Sequence, residues 1–167
     1  MPRSTAQKLV SREQLSSLGD RLRAEGRRVV FTNGCFDLLH VGHLRYLAQA
    51  RELGDALVVG VNTDAGVRRL KGPSRPLVSE EERAELLAGL ECVDWVTLFD
   101  EPTPVATIAA LRPHLHVKGG DYRPDDLPEA EVVRSYGGEI AIMPLVPGRS
   151  TTSLAEKIRE TGENEQK

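Results

Sequence analysis

The chain is poor in cysteine: Cys35 and Cys92 are the only two among 167 residues, and they form no Cys-x-x-Cys pair. A disulfide framework is therefore excluded, and a reducing, cytoplasmic setting is expected. No apolar run approaches the length that spans a bilayer. The N-terminus, Met1-Pro2-Arg3-Ser4-Thr5, is polar with no hydrophobic segment behind it, so no signal peptide and no membrane association are expected. A basic excess is also lacking. The net charge of −3 argues against a general nucleic-acid binder, while leaving room for a local basic site for a small anion. What remains is a chain of ordinary apolar and charged content, long enough for one domain with a full core.

The stretch Phe31-Thr32-Asn33-Gly34-Cys35-Phe36-Asp37-Leu38-Leu39-His40-Val41-Gly42-His43-Leu44 organises this chain. A β-branched segment, Arg28 to Thr32, precedes it and predicts a buried strand. Apolar residues at helical spacing, Leu44 to Arg51, follow it. The stretch is thus a strand-to-helix turn, where unpaired backbone N–H groups and the helix dipole attract phosphate. His40 and His43, three apart, project to one side of the first helical turn, and Gly42 leaves the backbone approachable. A His pair one turn apart also suits zinc, but zinc wants three or four protein ligands and no Cys or carboxylate partner stands at a telling spacing. Cys35 reads as a small half-buried residue and not as a nucleophile.

Along the chain, residues 1–10 read as a loose arm. Ser11 to Gln14 has capping-box spacing and opens a helix with Leu15, Leu18 and Leu22 that ends near Gly26. This appended helix packs either on the sheet or on another subunit, and in the second case offers a homodimer surface. Strands are expected at 28–32, 56–61, 94–99, 114–118 and 139–143. Helices are expected from the motif to about Gly54, over 64–69, from Ser79 to about Leu90, from a Thr103 cap with Pro104 in the first turn to about Arg112, from Pro128 to about Gly137, and from Ser150 to about Arg159. The boundaries that follow are an arm and helix over 1–27, a domain over 28–160 and a frayed tail over 161–167. Strands alternate with helices and their apolar runs are nearly continuous. The fold class is therefore α/β, a single Rossmann-like doubly wound parallel sheet of five strands with an appended N-terminal helix.

The unusual residues all fall at strand C-terminal ends: Asn33 to His43, Asn62 to Arg75, Gly119-Gly120-Asp121, and Gly148 to Thr152. In a parallel sheet those ends share one edge, where ligands bind. One composite site is expected there.

Three strings together carry a family resemblance: the first motif, Lys118-Gly119-Gly120-Asp121-Tyr122, and Arg149-Ser150-Thr151-Thr152. The chain resembles the adenylyltransferase domain of bacterial heptose-phosphate enzymes, within the H-x-G-H nucleotidyltransferase superfamily, from about Val29 to Ile158. In many bacteria that domain is fused to a sugar kinase; this chain looks like the stand-alone form. The resemblance implies transfer of the adenylyl group of ATP to a heptose 1-phosphate, giving ADP-heptose for surface polysaccharide. Glycerol-3-phosphate cytidylyltransferase is similar too, but tends to carry Gly-Asp-Asp where this chain has Gly119-Gly120-Asp121. A third reading is a catalytically idle nucleotide-binding module.

A phosphate monoester is already anionic, so its oxygen needs no general base; catalysis is expected from positioning and electrostatics. On this reading His40, His43 and Lys71 are the catalytic residues, with Lys71 on a Gly/Pro-bounded loop. The nucleotide site comprises Thr32, Asn33, Gly34, Cys35, Phe36, His40, His43, Lys118, Gly119, Gly120, Asp121, Ser150, Thr151 and Thr152. For Ser150–Thr152 an ordinary helix cap is the alternative, and for Gly119-Gly120 a flexible turn. Substrate contacts fall to Asp37, Asn62, Asp64, Lys71 and Arg75. Asp37 orients either the sugar or a turn, and Asn62 and Asp64 are either contacts or a helix cap. His114 and His116 read as structural, and the role of Arg149 stays open. Mg²⁺ is implied by the triphosphate, riding on nucleotide and water with no protein cage.

Overall fold

The computed structural model describes residues 1–145, 147, 148 and 150–165. Five strands form one fully parallel sheet: β1 (Val29–Gly34), β2 (Ala56–Asn62), β3 (Trp95–Phe99), β4 (Leu115–Gly119) and β5 (Glu139–Met143), in the order β3-β2-β1-β4-β5. Helices connect them: α1 (Thr5–Lys8), α2 (Arg12–Ala24), α3 (Val41–Glu52), α4 (Asp64–Lys71), α5 (Glu80–Gly89), α6 (Val105–Leu111), α7 (Ala130–Ser135) and α8 (Thr151–Glu165). β1 pairs with β2 on one side and β4 on the other, so the strand order reverses between β1 and β4. That is the doubly wound arrangement the sequence predicts, and its switch point lies at the C-terminal end of β1.

Alternate residues of each strand enter opposite cores. Val30, Leu57, Val59, Val96 and Val117 pack under α3 and α5 with Leu47, Ala50, Leu87 and Ala88. Val29, Phe31, Val58 and Trp95 face α2, α6 and α7 with Leu15, Leu18, Leu22, Ile108 and Leu111. The appended helix α2 therefore buries its leucines against its own sheet. Its Ser11–Gln14 capping box forms, and Gly26 at φ 69° closes it, with Gly26 N–H donating to the Arg23 carbonyl and Arg27 N–H to the Leu22 carbonyl.

The structure corrects four expectations. The first ten residues are not a loose arm. Ser4–Gln7 has the same capping-box spacing as Ser11–Gln14 and makes α1. Leu9 then bridges to Val96, Arg3 stacks on Trp95 with a 4.0 Å separation, and the Lys8 ammonium donates to the Leu90 and Val93 carbonyls. At α6, Pro104 is the cap residue and no side chain caps the helix, so Thr103 does not serve. α7 begins at Ala130, after a single 3₁₀ turn over Pro124–Asp126. α8 does not stop at Arg159 but continues to Glu165, and the Thr161 hydroxyl donates to the Lys157 carbonyl along it. No helix among the described residues is long and apolar enough to cross a membrane.

Candidate active site

β1 leaves the sheet at Gly34, and Phe36 takes a left-handed conformation at φ 47°. The Phe36 ring folds back over Gly34, where an added Cβ would stand 3.1 Å from it, so a larger residue there would press the ring aside. Phe36 also meets His43 edge-on at 5.4 Å. α3 then starts with His40 as its cap: Gly42 N–H donates to His40 Nδ1 at 3.1 Å and His40 N–H donates to His43 Nδ1 at 3.3 Å. The two imidazoles stack 3.9 Å apart. Because each Nδ1 accepts from a backbone N–H, each neutral ring carries its proton on Nε2. Burial, followed by the charges of His40 and Lys71, pushes the His43 pKa down to about 4.

These groups line a cavity of about 310 Å³ at the switch point. Its wall contains Asn33, Gly34, Cys35, Phe36, Asp37, His40 and His43 from the turn, Lys71, Lys118 and Gly119, and Ser150, Thr151 and Thr152. Thirteen sequence-predicted residues thus converge on one space. Gly42, Tyr46 and Leu145 complete the wall. Two helix starts, of α3 and of α8, share this space, which suits a polyanion. Ser150 is also a true cap, accepting from Ser153 N–H at 3.0 Å. Thr151 Oγ1 donates to the Leu38 carbonyl at 3.2 Å and so ties α8 to the β1–α3 turn.

Several predicted residues, in the wall or behind it, have structural partners of their own. Thr32 is fully buried and its hydroxyl shares a 2.6 Å hydrogen bond with Tyr46. Asp37, 3% exposed, accepts from Leu77 and Val78 N–H and pairs with Arg75 at 3.3 Å, so it orders the segment after α4. Of its two predicted roles, this is the turn-orienting one. Asn62 and Asp64 do not cap α4; Thr63 does, accepting from Gly66 N–H at 3.1 Å. Asp64 pairs instead with Arg83 at 2.9 Å. Lys71 is not on a loop but is the last residue of α4, and Gly72 follows at φ 96°. Gly120, at φ 126°, provides a backbone conformation and not a wall, and Asp121 is exposed beside it. Gly119 is where backbone approach matters, since an added Cβ would stand 3.1 Å from Tyr46 and 3.2 Å from Leu145. Arg149 lies outside the described residues.

Two residues escaped the sequence reading. Tyr46 sits one turn after His43 on the same face of α3; burial pushes its phenol up to about 12, so it is neutral. Its spacing from His43 was the available signal. Arg83 is wholly buried. Nε donates to the Val78 carbonyl, Nη1 to the Cys35 and Asn62 carbonyls at 2.6 and 2.8 Å, and Nη2 to Asp64. It stitches together the ends of β1 and β2, yet in the sequence it is one base after three glutamates. Burial pushes the Cys35 thiol up, against Lys71 and Arg83, so it is protonated and a poor nucleophile.

The electrostatic balance of the wall is cationic. Its one acid among the described residues, Asp37, is already paired, while Lys71 and Lys118 are not both so committed. No cluster of three His, Cys, Asp or Glu suited to a metal occurs among the described residues. A family model described as cytidylyltransferase-like matches residues 31–157, the segment that builds this sheet and cavity. The chain belongs to the cytidylyltransferase-like family. It is 53% identical to the bifunctional protein HldE of Trichlorobacter lovleyi over 164 residues, 98% of this chain and 33% of that protein. It is 59% identical to the bifunctional protein HldE of Geobacter sulfurreducens over 136 residues, 81% of this chain and 28% of that one. The chain spans about a third of the length of the curated relatives it matches. The solved structure of a lipopolysaccharide core biosynthesis protein from Thermoplasma volcanium is similar in fold, with a TM-score of 0.59 and 31% identity over 72% of this chain and 98% of that one.

Proposed function

We propose that this chain transfers the adenylyl group of ATP to a heptose 1-phosphate, giving ADP-heptose and pyrophosphate in the cytoplasm. The observation that carries the reading is the convergence of His40, His43, Lys71 and the start of α8 on one cavity. The relatives named HldE, and the neighbour named for lipopolysaccharide core biosynthesis, support a place in surface-polysaccharide synthesis.

In this mechanism an oxygen of the sugar phosphate attacks the α-phosphorus of ATP. The bond from that phosphorus to the bridging oxygen of the β-phosphate breaks, and pyrophosphate leaves with the electron pair. The nucleophile is already anionic, so no proton needs removing. The Nε2–H groups of His40 and His43 donate to the triphosphate as charge develops, and His43 does so as a neutral ring. Lys71 supplies a point charge, and the N–H groups of α8 hold phosphate. Arg75 is the candidate contact for the sugar phosphate, although its guanidinium is already shared with Asp37. The cavity wall offers donors and cations, which fit phosphate oxygens better than a bare metal ion. Among the described residues this wall supplies no carboxylate cage for Mg²⁺, which if bound would be carried with the nucleotide and would supply charge neutralisation beside the groups that His40, His43 and Lys71 hold.

The family description favours keeping one second reading, a cytidylyltransferase acting on glycerol 3-phosphate. Pyrophosphate release from the purified protein with Mg²⁺, each of ATP, CTP, GTP and UTP, and either sugar phosphate or glycerol 3-phosphate separates them. Turnover with ATP and heptose 1-phosphate alone is expected. Turnover with CTP and glycerol 3-phosphate would move the substrate, and no pyrophosphate from any pair would contradict the reading.

A further inference from the structure

The cavity has a lysine on each side of β1, and the two differ in their surroundings. Lys71 comes from the β2 side and Lys118 from β4. Lys118 Nζ lies 3.6 Å from Glu129 Oε1, and Glu129 is 0% exposed. The same oxygen lies 2.9 Å from Nε2 of His116, which is also 0% exposed and stacks on Phe31. Burial raises the Glu129 pKa, but the His116 hydrogen bond and the Lys118 charge outweigh it and the net shift is downward. The carboxylate is therefore ionised and accepts only, so His116 donates to it from Nε2–H.

Glu129 Oε2 and His116 Nδ1 have no hydrogen-bond partner among the described residues. An ionised carboxylate with one bare oxygen in an apolar interior is costly. The apolar contacts of α7 and β4 do not require a charge there, and the cation that it meets belongs to the cavity wall. Lys118 shares that wall with Gly119, Tyr46 and Leu145, residues with fewer polar groups than the two helix starts. Its charge, offset by Glu129 at 3.6 Å, offers a weaker field to a polyanion, and the ion pair holds the ammonium at this end of the wall.

We propose that Glu129, oriented by His116, is a positioning residue that fixes Lys118 as a hydrogen-bond donor to the uncharged acceptors of the nucleoside and not to the triphosphate. This rests on the reading that the cavity takes a nucleotide. Calorimetry on the full chain provides the test, with adenosine 5′-monophosphate, inorganic pyrophosphate and ATP as probes. Lys118→Met, at a half-buried wall position, should weaken ATP and the monophosphate about ten-fold, one charged hydrogen bond's worth, while pyrophosphate affinity stays within about two-fold. Glu129→Gln should do the same. In the Lys118→Met background, Glu129→Gln should add nothing, because it acts only through the lysine.

Equal weakening of pyrophosphate by Lys118→Met would overturn the proposal and make Lys118 a phosphate contact. A further loss from Glu129→Gln in the absence of the lysine would overturn the positioning role. Should Glu129→Gln not fold, the Lys118→Met comparison of the monophosphate with pyrophosphate still decides. Wild-type protein that binds none of the three probes would overturn the nucleotide reading itself, an outcome distinct from either of the others.

Discussion

His43 is neutral for a structural reason, and the sign of its effect on stability follows. Its folded pKa is about 4 against an ordinary 6.5, so between those values the unfolded chain binds the proton first. The neutral-ring contribution to stability is full above about pH 6.5 and is lost as the pH falls towards 4. In urea titrations, wild type should therefore lose more unfolding free energy between pH 7 and pH 4.5 than His43→Gln; parallel losses would show the ring to be less enclosed. Lys71 acts differently, as a charge at the end of α4. Lys71→Met should lower kcat by about 10²–10³-fold with the melting temperature nearly unchanged, the scale seen when one transition-state donor is removed. Steady-state kinetics with a melting curve checks both halves.

At the scale of elements, the site depends on how the strand ends and the following segments are tied. Arg83 satisfies three carbonyls and Asp64 from a fully buried position. Arg83→Met should destabilise by about 3–5 kcal/mol, because removing one partner leaves those groups unpaired; chemical denaturation measures it. Asp37 holds the backbone of Leu77 and Val78. Asp37→Asn should therefore speed amide exchange at those two residues specifically, with the core strands unaffected. The sequence made the H-x-G-H turn legible, since residue type, spacing and position between a strand and a helix agreed there. It did not show that Lys71 ends a helix, because Gly72 and Pro73 look equally like loop from the outside. Nor could it show Arg83, whose importance arises only when β1 and β2 lie side by side in register. Asp64 misled for the same reason, its partner being far along the chain.

At the scale of the molecule, the alternation of apolar strands with helices was enough to read an α/β parallel sheet, and the clustering of polar residues at strand ends was enough to expect a cavity at that edge, the candidate site. The N-terminal arm was less legible, because its contacts with Trp95, Leu90 and Val93 are long-range. Deleting residues 1–10 should lower the melting temperature by several degrees, as about 1–2 kcal/mol would in a chain of this size, while leaving kcat unchanged. A loss of turnover in proportion would show that the arm shapes the cavity.

In the proposed function, the stacked pair at the start of α3 lowers the barrier to nucleotidyl transfer. The most direct measurement is pyrophosphate release from ATP and heptose 1-phosphate by wild type and by His43→Ala, with circular dichroism on both. Turnover by wild type and a kcat reduced by about 10²–10³-fold in a folded variant are expected. Equal turnover by the two would contradict it, and the cavity would then bind the nucleotide without His43 contributing to the reaction.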